Sequence, residues 1–338
     1  MTTEPEDDLM EMVPHKRLHL LAGRSTAALA AEIADELDTP LGGSGIAEFA
    51  NGEIHCKFTE SLRGTDVFII QTHVDTPDIS VNDAILEQLI MIDAARRASA
   101  KRITAVVPFY GYARQDRKSE GREPITAKLV ANLFTSAGAS RLVSVDLHSG
   151  QIQGFFDSPV DHLTAMPVLI DYLADYQAAN GDLVIVSPDA GRVKVAERYS
   201  LQLGADLAFV HKSRVKGAKN QVEAKEVIGS VEGRACVLID DMIDTAGTIV
   251  AAADVLMSRG ATSVFAAATH GVLSGPAVAR LQDSVLDRVV ITNTLPVPDD
   301  HHFDKLEILS VAKIIADAIR AVFSDTSVSE IFDGQNQT

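Results

Sequence analysis

The chain has little of what marks several large classes of protein. Only two of its 338 residues are cysteine, so it has no disulfide framework and we expect a reducing, cytoplasmic location. Its formal net charge of −17 argues against sequence-independent binding of nucleic-acid backbones, which needs a basic surface. Charge, glycine or proline cuts every apolar run before it could cross a bilayer. We therefore expect neither a nucleic acid nor a membrane as partner.

Two familiar segments are also missing. Residues 1–15 are rich in acids and lack the basic start and apolar core of a signal peptide, so we expect a solvated acidic tail there and a short tail at 333–338. The sequence has no GxxxxGK[ST] motif, which disfavours a P-loop kinase. The remaining length is enough for two domains that each bury a core.

Short apolar segments alternate with helical ones along the chain, which is typical of a parallel α/β fold. The predicted strands are 18–21, 67–71, 103–108, 142–145, 183–187, 207–210, 237–239, 263–267 and 288–292. Apolar residues at helical spacing predict a helix over 82–98. Pro167 is expected to open another helix, which Asn180 and Gly181 close.

The two halves of the chain carry similar segments. GASRLVSVDLH begins at Gly138 and GATSVFAAATH at Gly260, and each passes through an apolar strand to a histidine. Either the chain is an internal duplication or two unrelated helix–strand units begin alike. We predict an N-terminal domain at 16–165 and a C-terminal domain at 166–332.

The most informative segment is VLIDDMIDTAGTIV, residues 237–250, in which an apolar strand runs into acids and a turn. The turn consists of Asp244, Thr245, Ala246, Gly247 and Thr248. A helical segment follows, so the turn's amides, its hydroxyls and the positive helix end suit a phosphate, and Gly247 permits close backbone approach. The alternative is a turn that merely caps the helix.

Asp240 and Asp241 precede this turn. Carboxylates repel phosphate but accept hydrogen bonds from hydroxyls and bind magnesium. The segment therefore indicates a sugar phosphate, with its phosphate on the turn and its ribose hydroxyls on the acids.

Other strand ends carry further polar chemistry. Residues 108–130 concentrate cations that suit a polyphosphate or, alternatively, form a solvated loop. Asp146 and His148 end one strand, where a histidine is either structural or a catalytic or metal-binding residue. Asp189 either holds magnesium or caps a helix.

HKSRVKGAKNQ, residues 211–221, is basic and poor in apolar residues. It is expected to be a mobile loop. Lys212 and Arg214 within it could close over a polyphosphate as a catalytic lid, or the segment could be an exposed linker.

The turn at 244–248 resembles the phosphoribosyl-diphosphate loop of type I phosphoribosyltransferases and of ribose-phosphate pyrophosphokinases. The whole chain from about Lys16 to Phe332 resembles the second family. The ordered segments that carry this resemblance are FANGEI, VVPFYGYARQD, ITAKLVANL, VDLHSGQIQGFFDSPVDHL, SPDAG, HKSR, VLIDDMIDTAGTI, TNTLP and LSVA.

The resemblance implies two similar phosphoribosyltransferase-like domains, each a mainly parallel sheet flanked by helices. It implies transfer of the diphosphoryl group of ATP to the C1 hydroxyl of ribose 5-phosphate, which gives 5-phosphoribosyl 1-diphosphate and AMP. Mg²⁺ would bridge the ATP phosphates while the C1 oxygen attacks the β-phosphorus in line.

The family's site residues carry over to matching positions. The ATP site would use Phe49, Asn51, Gly52, Glu53, Arg114 and Gln115. The magnesium-associated pair would be His148 and Asp189, and the catalytic pair Lys212 and Arg214. The ribose 5-phosphate site would use Arg214, Asp240, Asp241, Asp244, Thr245, Ala246, Gly247 and Thr248. Asp244 could also orient or deprotonate a hydroxyl.

The resemblance further implies a hexamer in which residues like Phe49 reach a neighbour's ATP. One departure lies after SPDAG, where many members have glycine and then a basic residue, whereas this chain has Arg192 and Lys194. Two alternatives remain: a catalytically silent regulatory member of the family, and a phosphoribosyltransferase. Such a transferase would leave the first-half segments unexplained.

Overall fold

The computed structural model describes residues 16–214 and 223–332, with side chains for all of them except 212–214 and 223–225. The first half forms, in chain order, β1 (Leu18–Ala22), α1 (Ala27–Leu37), β2 (Ala47–Glu48), β3 (Ile54–His55), β4 (Asp66–Ile70), α2 (Val81–Arg97), β5 (Arg102–Val107), α3 (Thr126–Ala137), β6 (Arg141–Val145) and β7 (Val160–Leu163). The second half forms α4 (Met166–Asn180), β8 (Leu183–Ser187), α5 (Val193–Leu203), β9 (Asp206–Arg214), β10 (Glu223–Ile228), β11 (Ala235–Ile243), α6 (Gly247–Ser258), β12 (Ser263–Gly271), α7 (Ala277–Gln282), β13 (Val289–Thr292), β14 (Leu306–Leu309) and α8 (Ala312–Ser324).

The strands build two large sheets. The first has the order β1-β4-β5-β6-β7 and all its described pairs are parallel. The second has the order β10-β9-β8-β11-β12-β13-β14 and is parallel except for the antiparallel pair of β10 with β9. A separate two-stranded hairpin joins β2 to β3. The predicted α/β class is confirmed.

Helices cover both faces of each sheet, which explains the continuous apolar runs of the central strands. In the first half, α2 and α3 cover one face, where Ile69 packs with Ile92 and Phe134. In the second half, α6 packs on one face of β11 through Leu238, and α4 and α5 pack on the other through Val237. The predicted helices are confirmed: α2 spans Val81–Arg97, and α4 ends at Gly181.

The C-terminal helix returns to the first half. Ile315 and Ile319 of α8 are fully buried in the same cluster as Leu20 and Phe68 of the first sheet. The break between β7 and α4 lies where we placed the domain boundary, but the core of the first half includes residues beyond it. The division at 165/166 stays a prediction, and α8 crosses it.

The two similar segments occupy equivalent places. Each follows a helix and forms a strand with parallel neighbours on both sides, β6 between β5 and β7, and β12 between β11 and β13. Gly138 and Gly260 both have positive φ, of 121° and 88°. Because glycine commonly ends a helix in this conformation, the shared glycine follows from local geometry alone. Local geometry does not explain why the two strands occupy equivalent positions in their sheets.

The sequence did not predict β7, β10, β14 or the β2–β3 hairpin. Three of these, β7, β10 and β14, are edge strands that contain polar residues, so they lack the continuous apolar run of a central strand. β9 also continues past the predicted end at Val210 to Arg214, so 211–214 is strand rather than loop. Within 16–214 and 223–332, no helix is both long and apolar enough to span a membrane.

Candidate active site

The carboxyl ends of the two sheets face each other. The Thr269 hydroxyl at the end of β12 donates to Asp146 Oδ2 at 2.6 Å, and His270 Nε2 lies 3.1 Å from the Asp146 carbonyl oxygen. Asp146 follows β6 and has a φ of 36°. Because ligands bind beyond the carboxyl ends of parallel strands, this contact places the candidate residues of both halves around one gap.

The turn at 244–248 opens α6, as predicted. The helix begins at Gly247, and Ala246 occupies the N-cap position without a side-chain cap. The Arg280 guanidinium donates to the Thr245 carbonyl oxygen at 2.9 Å, which fixes the turn from behind. Uncapped amides at a helix start bind anions, so the geometry favours a phosphate site over a capping turn.

The strained residue of this turn is not the glycine. Ala246 has a left-handed backbone with φ 61°, whereas Gly247 is not among the residues of positive φ. Left-handed conformations cost a non-glycine residue about 1 kcal/mol or more and cluster at functional sites. No pattern in the sequence indicates backbone strain at this alanine.

The two neighbouring acids have different surroundings. Burial, and then the adjacent Asp241 carboxylate, raise the pKa of Asp240 to about 8. Burial also opposes ionisation of Asp241, but the hydrogen bond from His148 and the charge of Arg192 outweigh it and lower the pKa of Asp241 to about 2. Asp241 is therefore a permanent anion, while Asp240 is the member of the pair whose charge depends on what binds.

His148 is oriented by the acid opposite it. Its Nδ1 lies 2.7 Å from Asp241 Oδ2. Because an ionised carboxylate only accepts hydrogen bonds, Nδ1–H is the donor and the Nε2 lone pair is left for another partner. Metal-binding histidines are commonly held in this way.

Asp189 has both of the properties that the sequence left open. Its Oδ1 accepts hydrogen bonds from the amides of Gly191 at 2.7 Å and Arg192 at 3.2 Å, which stabilises the turn into α5. It also lines a cavity of about 220 Å³ together with His148, Asp240 and the 244–248 turn. Turn stabilisation through one oxygen leaves the other carboxylate oxygen for a ligand.

A magnesium ion at this site would have few protein ligands. Within the described part of the chain, no group of three or more histidine, cysteine or acidic side chains is arranged to hold a metal. Mg²⁺ commonly keeps several waters and binds through one or two carboxylates together with substrate phosphates. His148 and Asp189 thus fit an ion held mainly by substrate, and do not fit a protein-enclosed metal site.

Arg114 connects the two halves of the chain at this site. Its Nη1 lies 2.5 Å from Asp244 Oδ2 across the gap between the halves. It lines three cavities, of about 220, 360 and 480 Å³. The 360 Å³ cavity also contains Gln115 with the rings of Phe109 and Tyr112. Arg114 of the first half therefore lies beside the acids of the second half.

The residues of the β2–β3 hairpin lie elsewhere. Phe49 is 56% exposed and meets His55 edge-on, and Asn51 Oδ1 accepts from the Glu53 amide at 3.3 Å. Gly52 forms the turn with a φ of 86°. None of the three cavities lined by Arg114 is lined by residues 49–53. Within one chain, the predicted ATP residues do not converge.

Lys212 and Arg214 stay predictions. Their backbones form the end of β9, but their side chains lie outside the described part of the chain, as do residues 215–221 of the expected lid.

Two cations near the site were not assigned from the sequence. Arg280 follows the end of β12 by several residues, and nothing in the local pattern connects it with the 244–248 turn. In the sequence, Arg192 differs from the glycine that many family members have after SPDAG, and this alone assigns it no role. In the fold, it contacts both acids and His148. Only the fold shows these long-range approaches.

Opposed parallel sheets with a phosphate-type turn on one and cations on the other define an α/β class of phosphoryl-group enzymes. The sequence profile for the N-terminal domain of ribose phosphate pyrophosphokinase matches residues 18–138, and the phosphoribosyl synthetase-associated domain matches 216–333. The chain belongs to the ribose-phosphate pyrophosphokinase family and is a transferase.

Near-full-length relatives carry the family assignment. The ribose-phosphate pyrophosphokinase of Streptomyces avermitilis is 53% identical over 95% of this chain and 97% of its own. That of Bifidobacterium longum is 52% identical over 96% of this chain and 95% of its own. The crystal structure of phosphoribosylpyrophosphate synthetase from Mycobacterium smegmatis has a TM-score of 0.85 and 51% identity, and covers 92% of this chain and all of that one.

Proposed function

We propose that the gap between the two sheets is where this enzyme transfers the diphosphoryl group of ATP to the C1 hydroxyl of ribose 5-phosphate. The products are 5-phosphoribosyl 1-diphosphate and AMP. The observation that carries the proposal is the uncapped turn at 244–248, which shares a 220 Å³ cavity with Asp240, His148 and Arg114. Phosphate-binding and charge-neutralising groups thus surround one space.

Ribose 5-phosphate is assigned to the second half. Its phosphate would accept hydrogen bonds from the amides and hydroxyls of Thr245 to Thr248, with Arg280 holding the turn in place. Asp240 would accept hydrogen bonds from ribose hydroxyls, and Asp244 would join it once released from Arg114. Asp241 belongs to the same site and also holds His148.

ATP is assigned to the first half. Arg114 would bind the phosphates through its forked donors, and the cavity formed with Gln115, Phe109 and Tyr112 has the apolar walls that an adenine base prefers. Mg²⁺ would be held by His148 and Asp189 together with the ATP phosphates, and when bound it supplies charge for the phosphate oxygens.

The chemical step joins the C1 oxygen to the β-phosphorus and breaks the bond between that phosphorus and the oxygen retained by AMP. The C1 hydroxyl proton is lost as the bond forms. Asp244 is the proposed residue to orient this hydroxyl or accept its proton. Lys212 and Arg214 are the proposed cations that neutralise charge developing on the transferred group.

We further propose a homo-oligomer, a hexamer by resemblance, in which the β2–β3 hairpin completes a neighbour's ATP site. The support is that Phe49 is 56% exposed and lines none of the cavities around Arg114. Leu129 and Leu133, one turn apart on α3, are exposed by 55% and 42% and offer apolar surface for association. We place the enzyme in the cytoplasm.

One experiment tests the reaction. The protein is mixed with magnesium, ATP and ribose 5-phosphate at several phosphate concentrations, and AMP and the diphosphorylated sugar are followed together. Stoichiometric appearance of both supports the proposal. If no AMP forms under any condition, the protein is a catalytically silent regulatory member of the family. Consumption of the diphosphorylated sugar together with a base would indicate a phosphoribosyltransferase.

A second experiment tests the shared site. Phe49→Ala and Asp240→Asn are each expected to have low activity alone when ATP and ribose 5-phosphate are kept below their KM values. When the two are mixed and allowed to exchange subunits, some sites should contain an intact hairpin and an intact Asp240, so activity should return. Mixtures that stay inactive despite mixed oligomers on light scattering would contradict a hairpin supplied by a neighbour.

A further inference from the structure

Arg192, next to the start of α5, lies at the centre of the contacts between the two halves. Its Nη2 is 2.5 Å from Asp241 Oδ2 and 2.9 Å from His148 Nδ1. Its Nε is 3.7 Å from Asp240 Oδ1, and Nη2 also donates to the His148 carbonyl oxygen at 3.4 Å. Only 20% of its side chain is exposed. A single guanidinium therefore contacts the acid pair and the histidine of the opposite half.

Arg192 also lies where two cavities meet. The 220 Å³ cavity contains the 244–248 turn, and the 480 Å³ cavity contains Arg117, Ser149 and Gln151. The two share the following lining residues: Arg114, His148, Asp189 and Arg192. Arg192 therefore borders both cavities, beside His148 and Asp189.

Arg192 acts on the acid pair in two ways, through its positive charge and through the planar geometry of its guanidinium. Two adjacent carboxylates that are mostly removed from water destabilise each other unless a cation lies close by. A guanidinium is planar and its donors are fixed relative to one another, so Nη2 can contact Asp241 and the His148 carbonyl oxygen while Nε lies toward Asp240. A lysine at this position would supply the charge without the fork.

The tautomer of His148 fits this arrangement. With Nδ1–H donating to Asp241, the ring cannot also accept a hydrogen bond from Arg192 at that nitrogen. Arg192 therefore acts on His148 through Asp241 and through the backbone carbonyl, rather than on the ring itself. Its position keeps the acid that orients His148 in place.

We propose that Arg192 is a positioning residue for diphosphoryl transfer, whose charge stands in for a cation at the acid pair while no substrate is bound, and whose fork aligns Asp241 with His148. The inference rests on the proposed assignment of His148 and Asp189 to the magnesium ion. It predicts that Arg192 competes with a divalent ion in the substrate-free enzyme. Loss of the positive charge strengthens ion binding. Replacement of the planar guanidinium by an ammonium group slows turnover.

The test compares three variants of the full-length enzyme. Arg192→Gln removes charge and fork, Arg192→Lys keeps the charge, and Lys194→Gln makes the same charge change at an exposed residue on the same helix. Mn²⁺ binding without nucleotide is measured by electron paramagnetic resonance. For a full charge several ångströms from the ion, partly screened by water, we expect Arg192→Gln to bind Mn²⁺ about tenfold more tightly. The other two should stay within about twofold of the unmodified enzyme.

Turnover provides the second measurement. We expect Arg192→Lys to lower kcat by about tenfold while KM for both substrates changes little, because an ammonium cannot replace the fork. Lys194→Gln should leave kcat unchanged. Unchanged or weaker Mn²⁺ binding in Arg192→Gln would overturn the charge role, and an unchanged kcat in Arg192→Lys would overturn the alignment role. The lysine variant keeps the proposal testable even where the glutamine variant does not fold.

Asp189→Asn separates this inference from the site assignment. Loss of Mn²⁺ binding in that variant supports the proposed magnesium pair. Retained binding in Asp189→Asn would show that the ion lies elsewhere, whatever Arg192 does. The two failures are therefore distinguishable.

Discussion

At the scale of single residues, Asp240 and Asp241 show how neighbours in sequence acquire different roles. Asp241 points at His148 and Arg192 and stays ionised, because the hydrogen bond and the charge outweigh its burial and lower its pKa. Asp240 is buried beside another carboxylate, so its pKa is raised. Asp241 is suited to hold His148, and Asp240 is suited to accept hydrogen bonds from a sugar.

A pair of substitutions tests this division. We expect Asp241→Asn to lower kcat by about 10- to 100-fold, since partners that orient a metal-binding histidine typically contribute that much. The Kd for ribose 5-phosphate should change by less than about threefold. Asp240→Asn should instead weaken ribose 5-phosphate binding by about tenfold or more, since a buried hydroxyl left without its hydrogen-bond partner costs about 1–3 kcal/mol.

Calorimetric titration with ribose 5-phosphate and steady-state kinetics measure the two effects separately. Asp254→Asn, an exposed acid on α6, serves as the control for loss of one negative charge. The same loss of sugar affinity in both variants would mean that Asp241 binds the sugar directly, as the family resemblance implied.

The identities of these residues could be predicted from sequence, but their partners could not. Acids, a turn and a helix within 240–250 form a local pattern, and local chemistry at a strand end is readable. The contact of His148 with Asp241 joins residues 93 positions apart, and it depends on how the two sheets face each other. Arg192 is close in sequence to Asp189, yet its role comes from the acids on another strand.

At the scale of elements, the N-terminus of α6 is the part most specialised for binding. It has no side-chain cap, and the residue in the left-handed conformation is Ala246. A Cβ added at Gly247 would lie 3.5 Å from the Nη1 of Arg280, which is an ordinary van der Waals contact. The folded chain therefore does not require glycine at position 247.

We predict that Gly247→Ala separates stability from binding. The variant should fold with an unfolding free energy equal to the native one or up to about 1 kcal/mol higher, since alanine favours the helix. Its affinity for ribose 5-phosphate should fall by about tenfold or more, because the methyl group blocks close approach of a phosphate to the backbone. Urea unfolding and calorimetric titration measure the two quantities.

Gly154→Ala is the matched control, because nothing lies within 4 Å of a Cβ added there. It should leave ribose 5-phosphate binding unchanged. Undiminished affinity in Gly247→Ala would remove the glycine from the proposed phosphate site and leave only the amides and hydroxyls of the turn.

Prediction of the elements succeeded for the central strands and missed three of the four edge strands of the two large sheets, for a physical reason. A central parallel strand such as β11 is covered on both faces from Cys236 to Ile239 and is apolar along that stretch. Edge strand β14 has one described neighbour, and only part of its surface is covered. Its residues Leu306 to Leu309 therefore include a glutamate, and the pattern does not differ from that of a loop.

At the scale of the whole molecule, buried histidines make stability depend on pH. Burial lowers the pKa of His73 to about 4, and it also lowers the pKa values of His162 and His270. His73 is held neutral, because Nδ1 accepts from the Gly111 amide at 3.0 Å while Nε2–H donates to Gln88 Oε1 at 2.9 Å. Protonation would break the first of these hydrogen bonds.

The sign of the effect follows from proton uptake. An unfolded histidine takes up a proton near pH 6.5, but native His73 does so only near pH 4. Between these values the unfolded chain binds more protons, so the unfolding free energy falls as pH falls. The raised pKa of Asp240 acts in the opposite direction, so a difference between variants is the proper measure.

We predict that His73→Gln is less stable than the native protein at pH 7.5, by about 1–3 kcal/mol for the disturbed hydrogen bonds. The gap should narrow steadily between pH 6.5 and pH 5, because only the native protein loses the contribution of a neutral His73. Urea unfolding at each pH measures this. His302→Gln, at an exposed histidine, should track the native protein, and a constant gap for His73→Gln would contradict the linkage.

The return of α8 to the first sheet makes the two halves interdependent in folding. Ile315 and Ile319 are fully buried with Leu20 and Phe68, so a fragment of residues 16–165 would expose that face of its sheet. We predict that this fragment alone shows no cooperative urea transition, and that addition of a peptide of residues 310–332 restores one. In the full chain, Ile319→Ala should cost about 2–5 kcal/mol, whereas Leu201→Ala, 75% exposed on α5, should cost less than about 0.5 kcal/mol. Cooperative unfolding of 16–165 without the peptide would mean that the predicted domain boundary also divides the folding units, and that α8 only adds to a core already complete.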